Sequence, residues 1–274
     1  MSRRPGISVL LVTHDSRARL ADCLAALPAA AGGRRCEVIA VDNGSADGSA
    51  AWLARWCRGG ESRRLLTNRE NQGLARATNQ ALALAREPYL AVLNPDVVAG
   101  PGSLARLASA LEAEPEVGLV LPRLVDRTGA LQPSCRTFYT LGTVVARRAP
   151  VLGSRLAGGA LVRRHLMLDW DHAEPRDVDW GQGAAFLLRR VALPRPDQLY
   201  DPRYFLYFED VDLAWTLWDR GWRVRYLPQA AMVHHEHRAS ADLRSRTAVW
   251  HLRSGLRFWL KTRGRRPRGR AARP

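Results

Sequence analysis

The length, cysteine pattern and charge of this chain limit what it can be. It has 274 residues, enough for one large domain with a core of ordinary size, and a formal net charge of +16. Its four cysteines show no Cys-x-x-Cys spacing, which argues against a zinc site or a disulfide scaffold and favours a reducing cytosol. No apolar segment approaches the about 20 residues needed to span a bilayer, so a transmembrane protein is not expected.

Most of the excess positive charge lies in the last part of the chain. Residues 241–274 hold eleven of the 42 basic residues and one of the 26 acidic residues, so this segment carries +10 and the rest +6. We therefore predict one domain over residues 1–240, followed by a basic segment over residues 241–274, with no specific nucleic-acid partner. Apolar side chains recur in the segment at helical spacing, at Val249, Leu252, Leu256 and Trp259. Two interpretations remain open: an amphipathic helix on an anionic membrane surface, or a surface-packed final helix with a disordered basic end.

In the first half of the chain, short apolar runs alternate with helical patterns. The first run stops at His14 and Asp15, too soon for a signal peptide, and we predict a buried strand there. The predicted strands are residues 7–13, 38–41, 64–67, 89–93 and 117–121. The predicted helices are residues 20–27, 50–56, 74–85 and 104–111. This alternation predicts an α/β fold with a Rossmann-like, mostly parallel sheet flanked by helices.

The second half loses this rhythm. Residues 123–175 contain turns and arginines and predict loops and short helices over the sheet, in a smaller acceptor-side region. A strand is predicted over residues 184–188 and a helix from Glu209 onward. Two further short apolar runs follow, at residues 224–227 and 230–233.

Three acidic motifs stand at informative places. Asp42 and Asp96 follow predicted strands, and Glu209 and Asp210 follow an aromatic segment. In open α/β sheets, ligands bind in the crevice beyond the carboxyl ends of the strands. Separate acidic groups are what a site needs if it handles a nucleotide, a metal-bound diphosphate and an acceptor hydroxyl around one anomeric carbon.

Two common phosphate-binding motifs are missing from the sequence. No Gly-x-Gly-x-x-Gly follows the first predicted strand, which argues against a dinucleotide-binding dehydrogenase. The sequence contains one lysine, Lys261, and it lies in the basic segment, so there is no Walker A loop. Phosphates are then most simply held through a divalent cation.

Seven segments occur in an order that resembles a known protein family. They are residues 8–13, 41–49, 68–75 with Asn79, 93–96, 183–185, 208–213 and 234–235 with Ser240. On these segments the chain resembles family 2 glycosyltransferases of the rhamnosyltransferase-like branch, which have a GT-A fold. The similarity spans roughly residues 7–240 and leaves the basic segment outside.

The resemblance implies a donor site at the first strands. It assigns Asp42 to the imide N–H of a uracil or thymine ring and Thr13 to the base or the ribose. It assigns Asn71, Gly73 and Asn79 to a donor-binding loop. Viewed alone, the residues after Asp42 are more typical of a simple turn, and Thr13 could merely end a strand.

The resemblance also implies a metal. Asn94 and Asp96 take the place of the Asp-x-Asp motif of GT-A enzymes, and Asp96 is the carboxylate that remains to bind Mg²⁺ or Mn²⁺ beside the donor diphosphate. One carboxylate, two diphosphate oxygens and waters suffice for octahedral coordination. A late histidine near the diphosphate is a further ligand in related enzymes, and we assign His235 to that role. Strand alternation places His235 and His234 on opposite sides.

The segment around Glu209 carries the predicted catalysis. An inverting transferase needs one carboxylate that removes the proton of the acceptor hydroxyl. The resemblance assigns Asp210 to that role, with Glu209 orienting the acceptor or tuning the pKa of Asp210. Acidic residues at the first turn of a helix also interact favourably with the helix dipole, which is an alternative explanation.

The sequence thus predicts a metal-dependent, inverting glycosyltransferase in cell-surface polysaccharide synthesis. It would transfer a hexose or deoxyhexose, such as rhamnose, from a dTDP or UDP sugar to a glycan or polyprenyl-linked acceptor. Its predicted location is the cytoplasm, at the cytoplasmic face of the plasma membrane if the basic segment binds lipid. Two other classes stay open: a nucleotidyltransferase acting on sugar phosphates, and a non-catalytic protein that binds membranes or nucleic acid.

Overall fold

The computed structural model describes residues 4–140, 158–235 and 246–271. In chain order, the strands β1 to β11 are Ile7–Thr13, Cys36–Asn43, Arg63–Asn68, Tyr89–Leu93, Val97–Ala99, Val117–Val125, Cys135–Arg136, Arg176–Asp177, Trp180–Gly181, Ala185–Arg189 and Arg223–His234. The helices α1 to α8 are Arg17–Ala31, Ser49–Arg58, Leu74–Leu84, Ser103–Ala113, Gly158–His165, Glu209–Asp219, Arg246–Thr262 and Arg268–Ala271. A 3₁₀ turn, Arg190–Ala192, follows β10.

One large sheet organises the described part of the chain. Its strands lie in the order β3, β2, β1, β4, β10, β6, β11 and β5, and β8 pairs with β11. Strands β1 to β4 pair in parallel, and β6 pairs in parallel with β11. β10 is antiparallel to both of its neighbours, β4 and β6. The carboxyl ends of β1, β2, β4 and β11 therefore meet the beginning of β10 at the same edge of the sheet.

Alternating side chains bury both faces of this sheet. Val9 and Leu11 of β1 pack with α1 and α4, whereas Leu10 packs on the other face with α3 and α6. Helices on both faces make the strands apolar throughout, as expected for a parallel sheet. The predicted α/β fold with a mostly parallel sheet flanked by helices is confirmed.

The predicted elements of the first half all occur, with ends shifted by a few residues. In the second half, the two apolar runs predicted at residues 224–227 and 230–233 form one strand, β11, with a register shift between Leu227 and Ala231. The region predicted to hold loops and short helices includes the small strand β7, which pairs with β9 beyond the end of that region. His237 and Ser240 lie outside the described residues.

Part of the basic segment is folded against the domain. Ser254, Phe258 and Thr262 of α7 are buried, and Gly269 of α8 lies so close to Trp218 that a Cβ there would meet its carbonyl oxygen. Arg270 forms a 2.8 Å ion pair with Asp179. The described residues of the basic segment, 246–271, thus form two helices that contact the domain, and the disordered basic end stays a prediction. Among the described residues, no helix is both long and apolar enough to cross a membrane.

Candidate active site at the carboxyl edge of the sheet

Sheet topology brings most of the predicted site residues to one edge. β1 ends at Thr13, its partner β2 continues through Asp42, and these two residues are register partners. β4 ends just before Asn94, whose N–H donates to the carbonyl of Ala184 at 2.8 Å. Because β10 runs antiparallel to β4, this bond places Gly183 beside the end of β4. The donor-side and catalytic motifs thus meet although they are far apart in sequence.

Thr13 and Asp42 have polar atoms that the fold leaves unsatisfied. Both residues are buried. Asp42 Oδ2 accepts a hydrogen bond from the N–H of Ser45 at 3.1 Å, whereas Asp42 Oδ1 and Thr13 Oγ1 have no hydrogen-bond partner among the described residues. A buried polar atom without a partner costs about 1–3 kcal/mol. Two such atoms on register partners of adjacent strands, whose backbones run about 4.8 Å apart, form a place where a polar ligand is favoured.

Asn43, which the sequence analysis did not select, organises the loop after β3. Its Oδ1 accepts from Asn68 Nδ2 and from the N–H of Gln72, each at 3.0 Å, and its Nδ2 donates to Asn71 Oδ1 at 2.9 Å. Asn71 Oδ1 also accepts from the N–H of Gly73 at 2.9 Å. Asn71 therefore has a structural role in this loop, and its role in donor binding stays a prediction.

Gly73 and Asn79 join the donor-side loop to the segment before α6. Gly73 has φ +83° and ψ 158°, and a Cβ at this position would lie 2.7 Å from the carbonyl oxygen of Phe205. Asn79 Oδ1 accepts from the N–H groups of Leu199 and Tyr200, and its Nδ2 donates to the Tyr200 carbonyl at 2.8 Å. These contacts hold residues 199–205 in place, and direct donor contacts by Gly73 and Asn79 stay predictions.

Two histidines flank Asp96. His234 Nε2 lies 3.7 Å from Asp96 Oδ2, and its Nδ1 lies 3.0 Å from Gln132 Oε1. The N–H of His235 donates to the carbonyl of Asp96 at 2.9 Å. Burial, together with Arg19 and Arg127, lowers the pKa of His235 and favours the neutral imidazole that binds metals. The structure thus places both rings near the motif, with His234 beside the carboxylate.

The donor atoms around Asp96 fit a hard divalent cation in part. Asp96 Oδ1 and His235 Nδ1 are buried without a hydrogen-bond partner among the described residues. In the described part of the chain, no group of three or more His, Cys, Asp or Glu side chains is arranged so that it could hold a metal ion. A cation at this place would therefore need further oxygen ligands, and a diphosphate and waters are suitable ones.

Backbone N–H groups hold the carboxylate of Asp210 at the start of α6. Its Oδ2 accepts from the N–H of Gly183 at 3.0 Å and its Oδ1 from the N–H of Val211 at 2.8 Å. Burial raises the pKa of Asp210, and these two backbone bonds oppose the shift. Gly183, which the sequence analysis noted only within a motif, is thus a positioning residue for Asp210.

Glu209 is the neutral partner of this pair. It is buried, and its Oε2 has no hydrogen-bond partner among the described residues. Burial, with the neighbouring Asp210 charge, raises the pKa of Glu209 to about 8. Of these two adjacent carboxyl groups, Glu209 thus has the surroundings that more strongly favour the neutral form, whereas Asp210 accepts two backbone N–H groups.

The backbone before α6 is strained. Tyr207 and Phe208 have φ values of +67° and +68°, in a region that non-glycine residues rarely adopt. Phe208 is fixed by aromatic neighbours, with its ring centroid 5.2 Å from that of Tyr139 and 5.8 Å from that of Phe258. This conformation directs the first turn of α6 towards Gly183.

Asp212, in the same motif, forms an ion pair with helix α7. Lys261 Nζ of α7 lies 2.7 and 2.8 Å from its two carboxylate oxygens. Asp212 is buried, so the single lysine of the sequence neutralises a buried charge. The basic segment therefore contributes an ion pair to the helix that carries Asp210.

Solved structures share this fold. A mannosyltransferase from Pyrobaculum calidifontis, solved with GDP-Man and Mn²⁺, superposes with a TM-score of 0.64 at 18% identity, over 97% of this chain and 67% of that one. GalNAc-T7, solved with UDP, GalNAc and Mn²⁺, superposes with a TM-score of 0.63 at 15% identity, over 93% of this chain and 48% of that one. The fold is that of GT-A glycosyltransferases.

The sequence comparisons define the family. The profile of glycosyl transferase family 2 matches residues 8–157. The chain is 33% identical over 258 residues to an N-acetylglucosaminyl-diphospho-decaprenol L-rhamnosyltransferase of Mycobacterium tuberculosis, covering 89% of this chain and 81% of that protein. It is 34% identical over 86 residues to rhamnosyltransferase WbbL of Escherichia coli, covering 31% of this chain and 32% of that protein. The chain belongs to glycosyl transferase family 2 and is a glycosyltransferase, which removes the nucleotidyltransferase and binding-protein interpretations.

Proposed function

We propose that this enzyme transfers a deoxyhexose, rhamnose before other sugars, from a pyrimidine nucleoside diphosphate to a polyprenyl-linked glycan in cell-surface polysaccharide synthesis. The sugar and the acceptor class are suggested by the name of the mycobacterial relative. The observation that carries the donor proposal is the pair of unsatisfied buried atoms, Asp42 Oδ1 and Thr13 Oγ1. An acceptor oxygen and a hydroxyl group match the imide N–H and carbonyl of uracil or thymine.

The donor diphosphate would lie at the end of β4, with Mg²⁺ or Mn²⁺ held by Asp96 and by His235 or its neighbour His234. A bound cation would supply charge neutralisation for the departing diphosphate. The unsatisfied Asp96 Oδ1 and His235 Nδ1 support this placement.

Asp210 would act as the general base. Its carboxylate would take the proton of the acceptor hydroxyl while that oxygen attacks the anomeric carbon, and the electron pair of the broken C–O bond would leave with the diphosphate. Attack from the face opposite the diphosphate inverts the anomeric configuration. The neutral Glu209 would add no second negative charge beside the base. Four free thiols support a reducing, cytoplasmic location for the reaction.

A binding panel tests the donor and the metal together. Calorimetry with UDP, dTDP and GDP sugars, each with and without Mn²⁺, should show Mn²⁺-dependent binding of a pyrimidine nucleotide sugar. Asp96→Ala should weaken this binding at least about tenfold, since an ionised ligand to the cation is lost. Preference for a GDP sugar would contradict the base assignment, and unchanged binding by Asp96→Ala would contradict the metal assignment.

Transfer itself is tested with the preferred donor. Incubation with a synthetic polyprenyl-diphosphate N-acetylglucosamine should release nucleoside diphosphate, and NMR of the product should show the inverted anomeric configuration. Retention of configuration would contradict the role of Asp210 as a general base.

A further inference from the structure

Helix α7 has one face buried against the domain and one face exposed to solvent, and the exposed face is apolar. Ser254, Phe258 and Thr262 face the domain and are buried. Five large apolar residues lie on the opposite side and are each more than half exposed: Val249, Leu252, Leu256, Trp259 and Leu260. We call these five residues the outer face of α7. A helix packed on a domain normally shows polar residues to solvent, so this face needs a partner.

The exposed apolar surface is concentrated at this one place. Of the eight large hydrophobic residues that are exposed in the described part of the chain, five belong to the outer face. Its individual exposures run from 51% for Leu252 to 60% for Leu260. Isolated exposed hydrophobics are normal on soluble proteins, whereas a contiguous group at i, i+3, i+7, i+10 and i+11 on one helix face is typical of an interaction surface.

Positive charge surrounds the outer face. Arg253 lies within α7 and is exposed, and Arg263 and Arg266 are exposed in the turn that follows. The whole segment 241–274 carries a formal charge of +10. Apolar side chains flanked by arginines, with a tryptophan among them, match the boundary between the headgroups and the acyl chains of an anionic bilayer.

We propose that the outer face of α7 docks the enzyme on an anionic lipid bilayer, with its apolar side chains inserted at the level of the headgroups and its arginines on the lipid phosphates. The helix would lie parallel to the membrane plane, as an interfacial helix does. A second copy of the chain is the alternative occupant of this face. The density of basic residues at its edge disfavours that arrangement, because two such surfaces would repel each other.

The inner face of α7 links this surface to the active site. Ser254 Oγ donates to the carbonyl of Leu206 at 3.0 Å, and Lys261 pairs with Asp212, two residues after Asp210. A docked α7 would hold the segment with Asp210 about one helix diameter, or 10 Å, from the lipid surface. Holding Asp210 near the lipid surface helps catalysis only if the acceptor is polyprenyl-linked, as proposed above. Docking on lipid does not itself depend on that acceptor.

The test is co-sedimentation of the full chain with vesicles of phosphatidylcholine, with and without phosphatidylglycerol. The wild type should bind the phosphatidylglycerol vesicles and release at high salt. Leu256→Glu/Trp259→Glu should lower the binding constant at least about tenfold, because interfacial binding scales with buried apolar area and electrostatic attraction. The matched control is Leu168→Glu/Val191→Glu, which adds the same charge at exposed apolar positions elsewhere and should change binding less than about twofold.

Two results would overturn the proposal. One is equal vesicle binding by the wild type and the outer-face variant. The other is a wild-type dimer in sedimentation equilibrium that the outer-face variant abolishes, while neither protein binds vesicles. Circular dichroism and soluble nucleotide-sugar binding, measured for every variant, separate loss of docking from loss of folding. Soluble donor binding also separates failure of docking from failure of the proposed function.

Discussion

On the donor side of the site, at the ends of β1 and β2, Thr13 and Asp42 keep buried polar atoms without hydrogen-bond partners among the described residues. On the catalytic side, at the start of α6, both carboxylate oxygens of Asp210 accept backbone N–H groups. The donor side thus has binding capacity left for a ligand. On the proposed catalytic side, the fold sets the orientation of the carboxylate before any ligand arrives. We therefore propose a division of the site into a binding half and a preorganised half.

The largest effect is expected on the catalytic side. Asp210→Asn keeps the shape of the side chain but removes the base and replaces one of its two accepting oxygens by an NH₂ group, so the transfer rate should fall about 10²- to 10⁴-fold. Donor binding, measured by calorimetry, should stay within about twofold of the wild type, since the proposed donor contacts lie elsewhere. Asp197→Asn, at an exposed position, is the control. A normal transfer rate in Asp210→Asn would show that another group removes the proton.

A change at Asp42, on the proposed donor side, should weaken donor binding and leave the rate at saturating donor nearly unchanged. Asp42→Asn replaces the charged acceptor of the proposed imide bond, and a hydrogen bond to a charged group contributes about 1.5–3 kcal/mol. The dissociation constant for UDP or dTDP should therefore rise about 10- to 100-fold, whereas the rate at saturating donor should change far less. If Asp42→Asn lowers only the saturated rate, the division into a binding half and a preorganised half is wrong.

A pair of glycine substitutions separates the cost of a strained backbone from the cost of disrupting the contact between Gly73 and Phe205. Gly73→Ala introduces both an unfavourable backbone conformation and a clash with the Phe205 carbonyl, whereas Gly129→Ala introduces only a positive φ, with no atom within 4 Å of the new Cβ. We expect Gly73→Ala to lower the free energy of unfolding by about 2 kcal/mol more than Gly129→Ala. Urea unfolding of both variants measures this difference. Equal losses would mean that the approach of Phe205 to Gly73 is not required.

The smallest effect concerns pH. The pKa of Glu209 is about 8 in the folded chain against an ordinary value of 4.5, so between these values the folded state binds more protons than the unfolded state. Stability should then decrease as pH rises through this window, and Glu209→Gln should remove that decrease. Unfolding by urea at several pH values, with exposed Glu61→Gln as control, measures it. A parallel pH dependence in wild type and Glu209→Gln would place the raised pKa elsewhere.

Much of the donor side follows from the sequence because its signals are local. The apolar runs at Ile7–Thr13 and Tyr89–Leu93 form strands β1 and β4 where their composition predicts strands. Asp42 lies one residue before the end of β2 and Asp96 follows β4, and such positions in a parallel sheet meet at one edge whatever the details of packing. The sequence does not determine whether His234 or His235 faces the Asp96 carboxylate, because the end of a long, irregular strand sets the orientation of these rings.

The sequence by itself determined the βαβ order, the acidic residues at strand ends and the amphipathic period of α7, because these depend on spacings of a few residues. Only the tertiary structure decided that β10 runs antiparallel beside β4, which brings the N–H of Gly183 to Asp210 across 27 positions of the chain. It also decided the pKa of Glu209 and which face of α7 is covered. These properties arise from burial and from contacts between distant segments, and no local pattern encodes them.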